Sequence, residues 1–247
     1  MKTLKVPLLS NITKYWFDYN PSLTHFMSSL SVLFPDGERF FMKSMNAYRK
    51  DLPEYYVKEL DEFCRQEASH GRIHETLNSH LDAGILKSLE GRTIHALDIA
   101  SRLLNRRQRL VVTICLEHLT AILGERLLLK TDLTDRMIGS AKDIWLYHGQ
   151  EELEHSHVAY DIYNYIGGGY LNRALMLPIV TIALAYIIVH NWIDIMNNDT
   201  DFGDDRLLES LSVLLGSDGF ITEIIPEYMA WFRPGYHPVS LQRRVLG

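Results

Sequence analysis

Residues 148–155 read His-Gly-Gln-Glu-Glu-Leu-Glu-His, and their spacing is the clearest sign of how this chain folds. An α-helix turns by about 100° per residue, so residues three or four positions apart share a face. His148, Glu152 and His155 are separated by four and three positions. This stretch therefore predicts a helix that presents two imidazoles and one carboxylate from a single side.

The same stretch offers alternative carboxylates. Glu151 lies on the flank of the shared face and could take the place of Glu152, although the spacing favours Glu152. Glu154 and His157 form a rival Glu-x-x-His pair, but they point to nearly the opposite side of the helix. We therefore expect the rival pair to stay outside the site and Glu151 to remain the alternative ligand.

Three earlier segments carry matching residues. Glu67, His70 and His74 lie on one narrow face of a second predicted helix, and Glu38 and Glu117 are single glutamates in two others. A Glu-x-x-His pair on each of two helices, with one Glu from each of two more, is the ligand set of a bundle that holds two metal ions. Acids and histidines on inward faces are costly to bury unless they are paired or coordinated. The four segments together predict a dinuclear metal site.

Individual members of this set have simpler explanations. Glu38 follows Pro35 by three positions and could be a first-turn glutamate that the helix dipole favours. His74 could be a core histidine or a hydrogen-bonding neighbour of a ligand. Glu117 is flanked by apolar residues, which favours a ligand role. The remaining histidines that we expect to be structural are His25, His80, His95, His118 and His190.

Nearly every long segment of the chain has helical period, and the sequence contains no convincing alternating strand pattern. Pro35-Asp36-Gly37 is expected to separate the first two helices. Residues 131–135 are expected to cap a long helix that continues through Tyr165. The predicted helices cover about 21–34, 38–50, 53–80, 84–104, 108–130, 136–165 and 171–196, followed by a loop at 197–205 and two shorter helices.

This pattern predicts an all-α fold with a four-helix bundle core and additional helices. We expect a single metal-binding domain over residues 1–247. Its expected parts are core helices at about 36–165, additional helices at about 171–232 and a C-terminal tail at 233–247.

Composition narrows the function. The net charge of −6 gives no basic footprint for nucleic acid, and the short basic run at 102–109 is interpreted as a solvated connection. Cys64 and Cys115 are far apart and form neither a disulfide framework nor a zinc spacing, which is typical of a reducing cytoplasm. Residues 1–10 lack the long apolar core of a signal peptide. We expect a cytoplasmic protein that does not bind nucleic acid.

The most apolar run of the chain is Ala174–Val189, which spans 16 residues and contains Pro178 and Thr181. This length is short for a membrane span. A buried helix of a large bundle is the favoured interpretation. A wall for a hydrophobic substrate and a contact with a membrane surface are left open, because periodicity alone does not separate them.

Several stretches together resemble a bacterial family described as predicted metal-dependent hydrolases, which is itself similar to ferritin-like di-iron proteins. The similarity runs from about residue 20 to about residue 240, and the chain departs from the pattern at Val239-Ser240, where a Trp-Asp-like pair is expected. The stretches that carry it are Phe34–Phe41, Gln66–His70 with His74, Leu116–Thr120, His148–His155, Ala159–Asp161 and Phe232–Pro238.

The resemblance implies a ferritin-like bundle and oxygen chemistry. The His-x-x-x-Glu-x-x-His pattern at 148–155 is also similar to that of p-aminobenzoate N-oxygenase type enzymes, which use a di-iron site with an extra histidine ligand. Members similar to this family are recognised as di-iron monooxygenases, although the inherited family description refers to hydrolysis.

Four functions follow from these residues. The leading one is a non-haem di-iron oxidoreductase that activates O2 to hydroxylate or N-oxygenate a small apolar substrate, with electrons from an external ferredoxin or flavin type donor. The second is a dinuclear hydrolase of an ester or phosphoester. A ferroxidase or iron-handling protein and a metal-free interaction protein are less favoured. Carboxylates with few imidazoles suit two iron ions, or manganese, better than zinc. A homodimer is left open.

Overall fold

The computed structural model describes residues 12–203 and 206–245, and within these residues the regular structure is helical without a β-strand. The prediction of an all-α fold is confirmed. The α-helices are α1 Pro21–Ser31, α2 Phe34–Asn46, α3 Glu54–Asn78, α4 Ala83–Leu103, α5 Arg106–Leu129, α6 Thr131–Thr134, α7 Gly139–His155, α8 Val158–Tyr165, α9 Tyr170–Asn198, α10 Leu207–Leu215, α11 Ile225–Ala230 and α12 Val239–Val245. The N-terminal stretch for which we expect no signal peptide, residues 1–10, lies outside the described residues.

Four of these helices form a closed ring. Helix α2 packs on α3, α3 on α7, α7 on α5, and α5 on α2. The pairs α2/α3 and α5/α7 are joined in sequence through α4, which is the single crossover connection of ferritin-like bundles. The ring brings together the four segments in which the sequence places its acids and histidines.

Side-chain caps fix where the crossover and the third ring helix begin. The Asp82 carboxylate accepts hydrogen bonds from the backbone N–H groups of Gly84 and Ile85 at the start of α4. Asn105 and Gln108 form a reciprocal capping box at the start of α5. Each cap satisfies backbone donors that a helix leaves unpaired in its first turn. These short polar signals therefore set the start of the helices on either side of the α4–α5 turn.

Helices α5 and α7 approach each other at a pair of glycines. A Cβ atom on Gly124 would lie 2.8 Å from the carbonyl oxygen of Gly149 and 3.0 Å from its Cα. Backbone atoms cannot move aside as a flexible side chain can. The contact therefore requires glycine and fixes the two helices closely against each other.

Three expected helix boundaries are wrong. Pro35 occupies the first turn of α2, where its missing N–H costs nothing, so 35–37 begin a helix instead of separating two. Residues 131–134 form the separate helix α6, and α7 starts only at Gly139, whose φ of 65° is incompatible with a continuous right-handed helix. The long helix also ends at His155, where the Ser156 hydroxyl donates to the Leu153 carbonyl, and α8 begins at Val158.

The expectation that the apolar run 174–189 is a buried helix is also wrong. It forms part of α9, whose most apolar 18-residue stretch has a mean hydropathy of 1.9 and is only 17% buried. Among the described residues, α9 is the one helix long and apolar enough to span a membrane. Its outward stripe includes Leu171, Leu175, Ile182 and Tyr186, each more than half exposed. Hydropathy alone could not show that the rest of the bundle leaves this face uncovered.

The C-terminal tail folds back onto the bundle. Helix α12 packs on α5 and α7, and the Tyr236 hydroxyl donates to His118 Nδ1 at 3.0 Å. The His237 ring lies 2.8 Å from the Asp161 carboxylate. Val239 and Ser240, where the chain departs from the family pattern, form the first turn of α12. The tail therefore closes one side of the ring.

Candidate metal centre

The first group of donors joins α3 to α7. It consists of Glu67 and His70 from α3 and Glu152 and His155 from α7, and one donor atom from each lies within 4.8 Å of all the others. All four residues are buried. The Glu67 carboxylate lies 3.0 Å from His155 Nε2, and the Glu152 carboxylate lies 3.5 Å from His70 Nδ1. These distances are short enough for one cation to contact all four donors.

A second group adds α2. Glu38, His70 and His148 also place one donor atom each within 4.8 Å of one another, and all three are buried. His70 belongs to both groups and lies between them. Helices α2, α3 and α7 of the ring therefore offer two adjacent positions for a cation.

Glu117 on α5 lies outside both groups but next to them. One oxygen of its carboxylate is 3.4 Å from His155 Nδ1, and the side chain is buried. Neither oxygen has a hydrogen-bond partner among the described residues. This acid therefore completes the fourth wall of the site.

The pKa values of two of these acids are raised, which indicates that a nearby cation would stabilise their charged forms. Burial and the charges of Glu67, Glu152 and Glu117 raise the pKa of Glu38 well above its usual range. Burial and the neighbouring acids raise the pKa of Glu117 to about 8, although His155 opposes the shift. Deprotonated acids this close repel one another in a medium of low dielectric constant.

The pKa values of His155 and His70 are also raised, which for a histidine favours the charged form. Burial lowers the pKa of His155, but the carboxylates of Glu67, Glu117 and Glu152 outweigh it and raise the pKa well above its usual value. The same balance, with Glu151 and Glu152 as the main partners, raises the pKa of His70 to about 9. The site attracts cations.

Many donor atoms at the centre have no partner within the described chain. Buried polar atoms in proteins are almost always hydrogen-bonded, so a cluster of exceptions needs an explanation. The donor set and its geometry fit bound metal ions, which would coordinate these atoms. The unpartnered atoms are both carboxylate oxygens of Glu38, Glu67 and Glu117, Nδ1 of His70, and both ring nitrogens of His155.

Glu151 is not part of either group. Its carboxylate accepts a hydrogen bond from His70 Nε2 at 2.8 Å, and the side chain is partly exposed. This bond turns His70 Nδ1 toward Glu67 and Glu152. A carboxylate that holds the far nitrogen of a ligand histidine is a recurring feature of metal sites. The structure thus gives Glu152 the position in the cluster and Glu151 a supporting contact.

His74 is held in a buried hydrogen-bonded chain. The Asn78 amide donates to the Ser31 carbonyl at 3.2 Å, and the Ser31 hydroxyl donates to Asn78 Oδ1 at 2.6 Å. Because that hydroxyl has one hydrogen, His74 Nδ1–H must donate to Ser31 Oγ, 2.7 Å away. Burial lowers the pKa of His74 well below its usual value, so the ring is neutral and its Nε2 is an acceptor.

The chain continues to His148. Nδ1 of His148 lies 2.6 Å from His74 Nε2 and donates to it. Burial and the charge of His70 lower the pKa of His148, so its ring is also neutral and Nε2 carries a lone pair. That lone pair lies 2.9 Å from Glu152 Oε1, so two hydrogen-bond acceptors face each other without a hydrogen between them. A cation shared by the two atoms resolves the repulsion.

His118 and His157 make their contacts outside the two donor groups. His118 stacks on Trp231 at 4.6 Å between ring centroids, and burial lowers its pKa to about 3. His157 Nδ1 accepts a hydrogen bond from Gln242. Glu154 accepts one from Gln150 at 2.7 Å. In the rival pair, the Glu154 side chain therefore bonds within α7 and His157 bonds to the tail.

Three residues that support the metal centre were not predicted from the sequence. The Thr120 hydroxyl donates to the Glu152 carboxylate, and Ser31 and Asn78 hold His74. Asn78 could have been found, because it lies four positions after His74 and continues the face that carries the other α3 donors. Thr120 could also have been found, because it follows Glu117 by three positions on α5, whereas Ser31 comes from a helix without a donor and had no spacing signal.

A cavity of about 440 Å³ reaches the centre from the surface. Its wall includes Glu38 and Thr120 on the side of the metal centre and the exposed residues Leu103 and Ile179 on the side of solvent. The other lining side chains are apolar, except for Thr93. The cavity therefore connects an apolar surface to a buried acid.

The fold and the site define an all-α protein with a metal-binding site of buried His and Glu residues. The family of predicted metal-dependent hydrolases matches residues 1–242, and the chain belongs to this family. No curated protein and no solved structure matches the chain. The metal dependence in the family description agrees with the donor clusters.

Proposed function

We propose that this protein is a non-haem di-iron oxidoreductase that uses O2 to hydroxylate or N-oxygenate an apolar organic substrate. The observation that carries the proposal is that Glu38 belongs both to the metal centre and to the wall of the cavity. Its carboxylate belongs to a donor group with His70 and His148, and it also lines the apolar cavity. Substrate in the cavity would lie beside the metal centre.

The donor set favours iron or manganese. Four carboxylates and three imidazoles converge, and the described residues near the centre include no thiolate ligand, since Cys64 packs beside Asn46 and Cys115 faces the Arg173 carbonyl. Catalytic zinc is usually held by three protein ligands rich in nitrogen or sulfur. The residues that would hold two iron ions are Glu38, Glu67, His70, Glu117, His148, Glu152 and His155.

The chain contributes binding, orientation and exclusion of water, and the bound metals supply the redox chemistry. Glu151 and His74 orient the imidazoles of His70 and His148. Thr120, in the cavity wall, holds the Glu152 carboxylate. The apolar lining keeps water away from the reacting position.

The overall reaction needs an electron donor. Inserting one oxygen atom of O2 into a C–H or N–H bond and releasing the other as water takes up two electrons and two protons. We propose that a separate ferredoxin or flavin type protein delivers the electrons.

Isotope labelling tests the proposal. The protein is purified from iron-supplemented cells, its metal content is counted, and the reduced protein receives ¹⁸O₂ with a small apolar substrate such as an alkylbenzene or an arylamine. We expect iron in the protein, O2 consumption that depends on reductant, and ¹⁸O in the product. Iron-loaded protein that consumes no O2 with either substrate class would contradict the proposal.

The family description favours a second candidate, a dinuclear metal-dependent hydrolase. The same ligands could hold manganese or zinc, which lower the pKa of a bound water and polarise an ester or phosphoester. Hydrolysis would place ¹⁸O from labelled water, and none from O2, in the product. Turnover of a generic ester without O2 would favour this candidate.

A further inference from the structure

We infer that the cavity at Glu38 is a binding site for a single straight alkyl chain, such as that of a fatty acid. Oxidation of the bound chain depends on the proposed function, whereas binding of the chain does not. The walls of the cavity come from α4, α5 and α9, together with residues 30–41. A site between helices of a bundle is a common location for an apolar ligand.

The cavity lies along three helices. Its lining runs along α4 from Thr93 to the C-cap residue Leu104, along α5 from Val112 to Leu123, and along α9 from Met176 to Ile187. Each of these segments is about 16 Å long at a rise of 1.5 Å per residue. A straight alkyl chain laid along these segments would contact apolar side chains of all three helices.

The chemistry of the lining excludes a polar ligand body. The polar side chains in the wall are Glu38, Thr93 and Thr120. The Thr93 hydroxyl already bonds to the Leu89 carbonyl and the Thr120 hydroxyl to Glu152. The residues that line the cavity include no cationic side chain, so an ionised head group held among them would be unpaired, and burying an unpaired charge is very costly. The chain therefore enters and the head group stays outside.

The rim of the cavity suits an amphipathic ligand. Leu103 is 78% exposed and Ile179 is 60% exposed, and both line the cavity. The outward stripe of α9 continues from this rim through Leu175 and Ile182. An alkyl chain could come from free fatty acid or from a lipid surface, and both would present the same group at the rim.

Two alanines of α9 provide a matched test. Ala183 and Ala185 are both exposed, but only Ala183 lines the cavity. Binding of ¹⁴C-dodecanoate is measured by equilibrium dialysis without O2 or turnover. We expect Ala183→Trp to weaken binding about ten-fold or more, because the indole ring would occupy space that the alkyl chain needs; ten-fold corresponds to about 1.4 kcal/mol. Ala185→Trp should bind within about two-fold of the wild type. Ala96→Trp, on the α4 wall, should repeat the loss.

A second measurement distinguishes the sources of the chain. The same variants are sedimented with phosphatidylcholine vesicles. Vesicle binding that Ala183→Trp reduces, with weak binding of free dodecanoate, supports the inference with lipid as the source. Dodecanoate binding without vesicle binding supports it with free fatty acid as the source.

Other outcomes overturn the inference. It is wrong if neither probe binds, or if Ala183→Trp and Ala185→Trp bind alike. It is also wrong if the protein is a dimer that Ala183→Trp disrupts and no dodecanoate binds, because a second copy would then cover the rim. Dodecanoate binding without any oxidation would contradict the proposed function and leave the binding site standing.

Discussion

Two buried carboxylates of this protein have opposite surroundings. Asp199 at the end of α9 accepts hydrogen bonds from Lys14, Tyr15 and His25 at 2.6 to 2.8 Å. Although burial opposes the shift, these donors lower its pKa to about 2. Glu38 at the metal centre has no hydrogen-bond partner on either oxygen within the part of the chain that the structure describes, and its pKa is raised.

The difference shows what each cluster lacks. The Asp199 cluster contains a carboxylate together with the cation and donors that satisfy it, so it needs nothing further. The metal centre contains carboxylates and imidazoles whose free atoms face one another. Leaving a buried charged group unpaired costs several kcal/mol, so the second cluster is stable only with cations, in the form of protons or metal ions.

Removing a donor of the metal centre should have the largest effect. We expect Glu152→Ala or His155→Ala to lose nearly all bound metal, because each removes a donor from the four-residue group. Metal per chain, measured by inductively coupled plasma mass spectrometry, checks this. The controls Glu154→Ala and His157→Ala should keep the metal content of the wild type. If the two pairs behave the other way round, the inward face of α7 is wrongly assigned.

A smaller effect on metal affinity is expected when the changed residue contacts a donor without being one. His74→Ala removes the acceptor that holds His148 Nδ1–H, so His148 is no longer oriented toward Glu152. Loss of such a contact typically weakens metal affinity about 10- to 100-fold. The matched control is His25→Ala, which removes a buried histidine from the Asp199 cluster. Equal metal affinity of the two variants, in competition with a chelator, would contradict the orienting role.

The α5–α7 contact offers a third test. Gly124→Ala places a Cβ 2.8 Å from the Gly149 carbonyl, and overpacking of this kind costs about 1–3 kcal/mol of unfolding free energy. Gly91→Ala, in α4, meets nothing within 4 Å and should stabilise by about 0.5–1 kcal/mol. Urea denaturation measures both. A Gly124→Ala protein as stable as the wild type would show that the helices do not need this close approach.

The smallest effect concerns acid stability. Because the pKa of Asp199 is lowered, its ion pairs stabilise the fold above the ordinary value of 3.8, and this contribution is lost as pH falls toward about 2. Asp199→Asn should unfold more easily than the wild type at neutral pH, and the gap should narrow on acidification. Denaturation midpoints at several pH values test this. A gap independent of pH would mean that the charge of Asp199 contributes nothing.

Helical spacing predicted most of what lies within one helix. Glu67 and His70 share a face, Glu152 and His155 share another, and the structure brings the two faces together. The preference for Glu152 over Glu151 rested on the same spacing and agrees with the geometry. The ligand assignment itself stays a prediction until metal binding is measured.

Features that depend on contacts between distant segments were not predictable. Ser31 comes from a helix without any donor of the cluster, yet it fixes the tautomer of His74. The exposure of α9 depends on which helices the bundle leaves uncovered, and composition carries no such information. The end of α7 at His155 also depends on Gln242 of the tail, which contacts the turn that follows.

The glycine contact between α5 and α7 has a consequence for redesigning this site. Gly149 lies between His148 and Glu152, so the backbone, rather than the donor side chains, sets how far α7 stands from α5. Individual ligands can then be exchanged for shorter or softer ones while the helices keep their spacing. The bundle should therefore tolerate engineered cofactor sites of different chemistry at the same location.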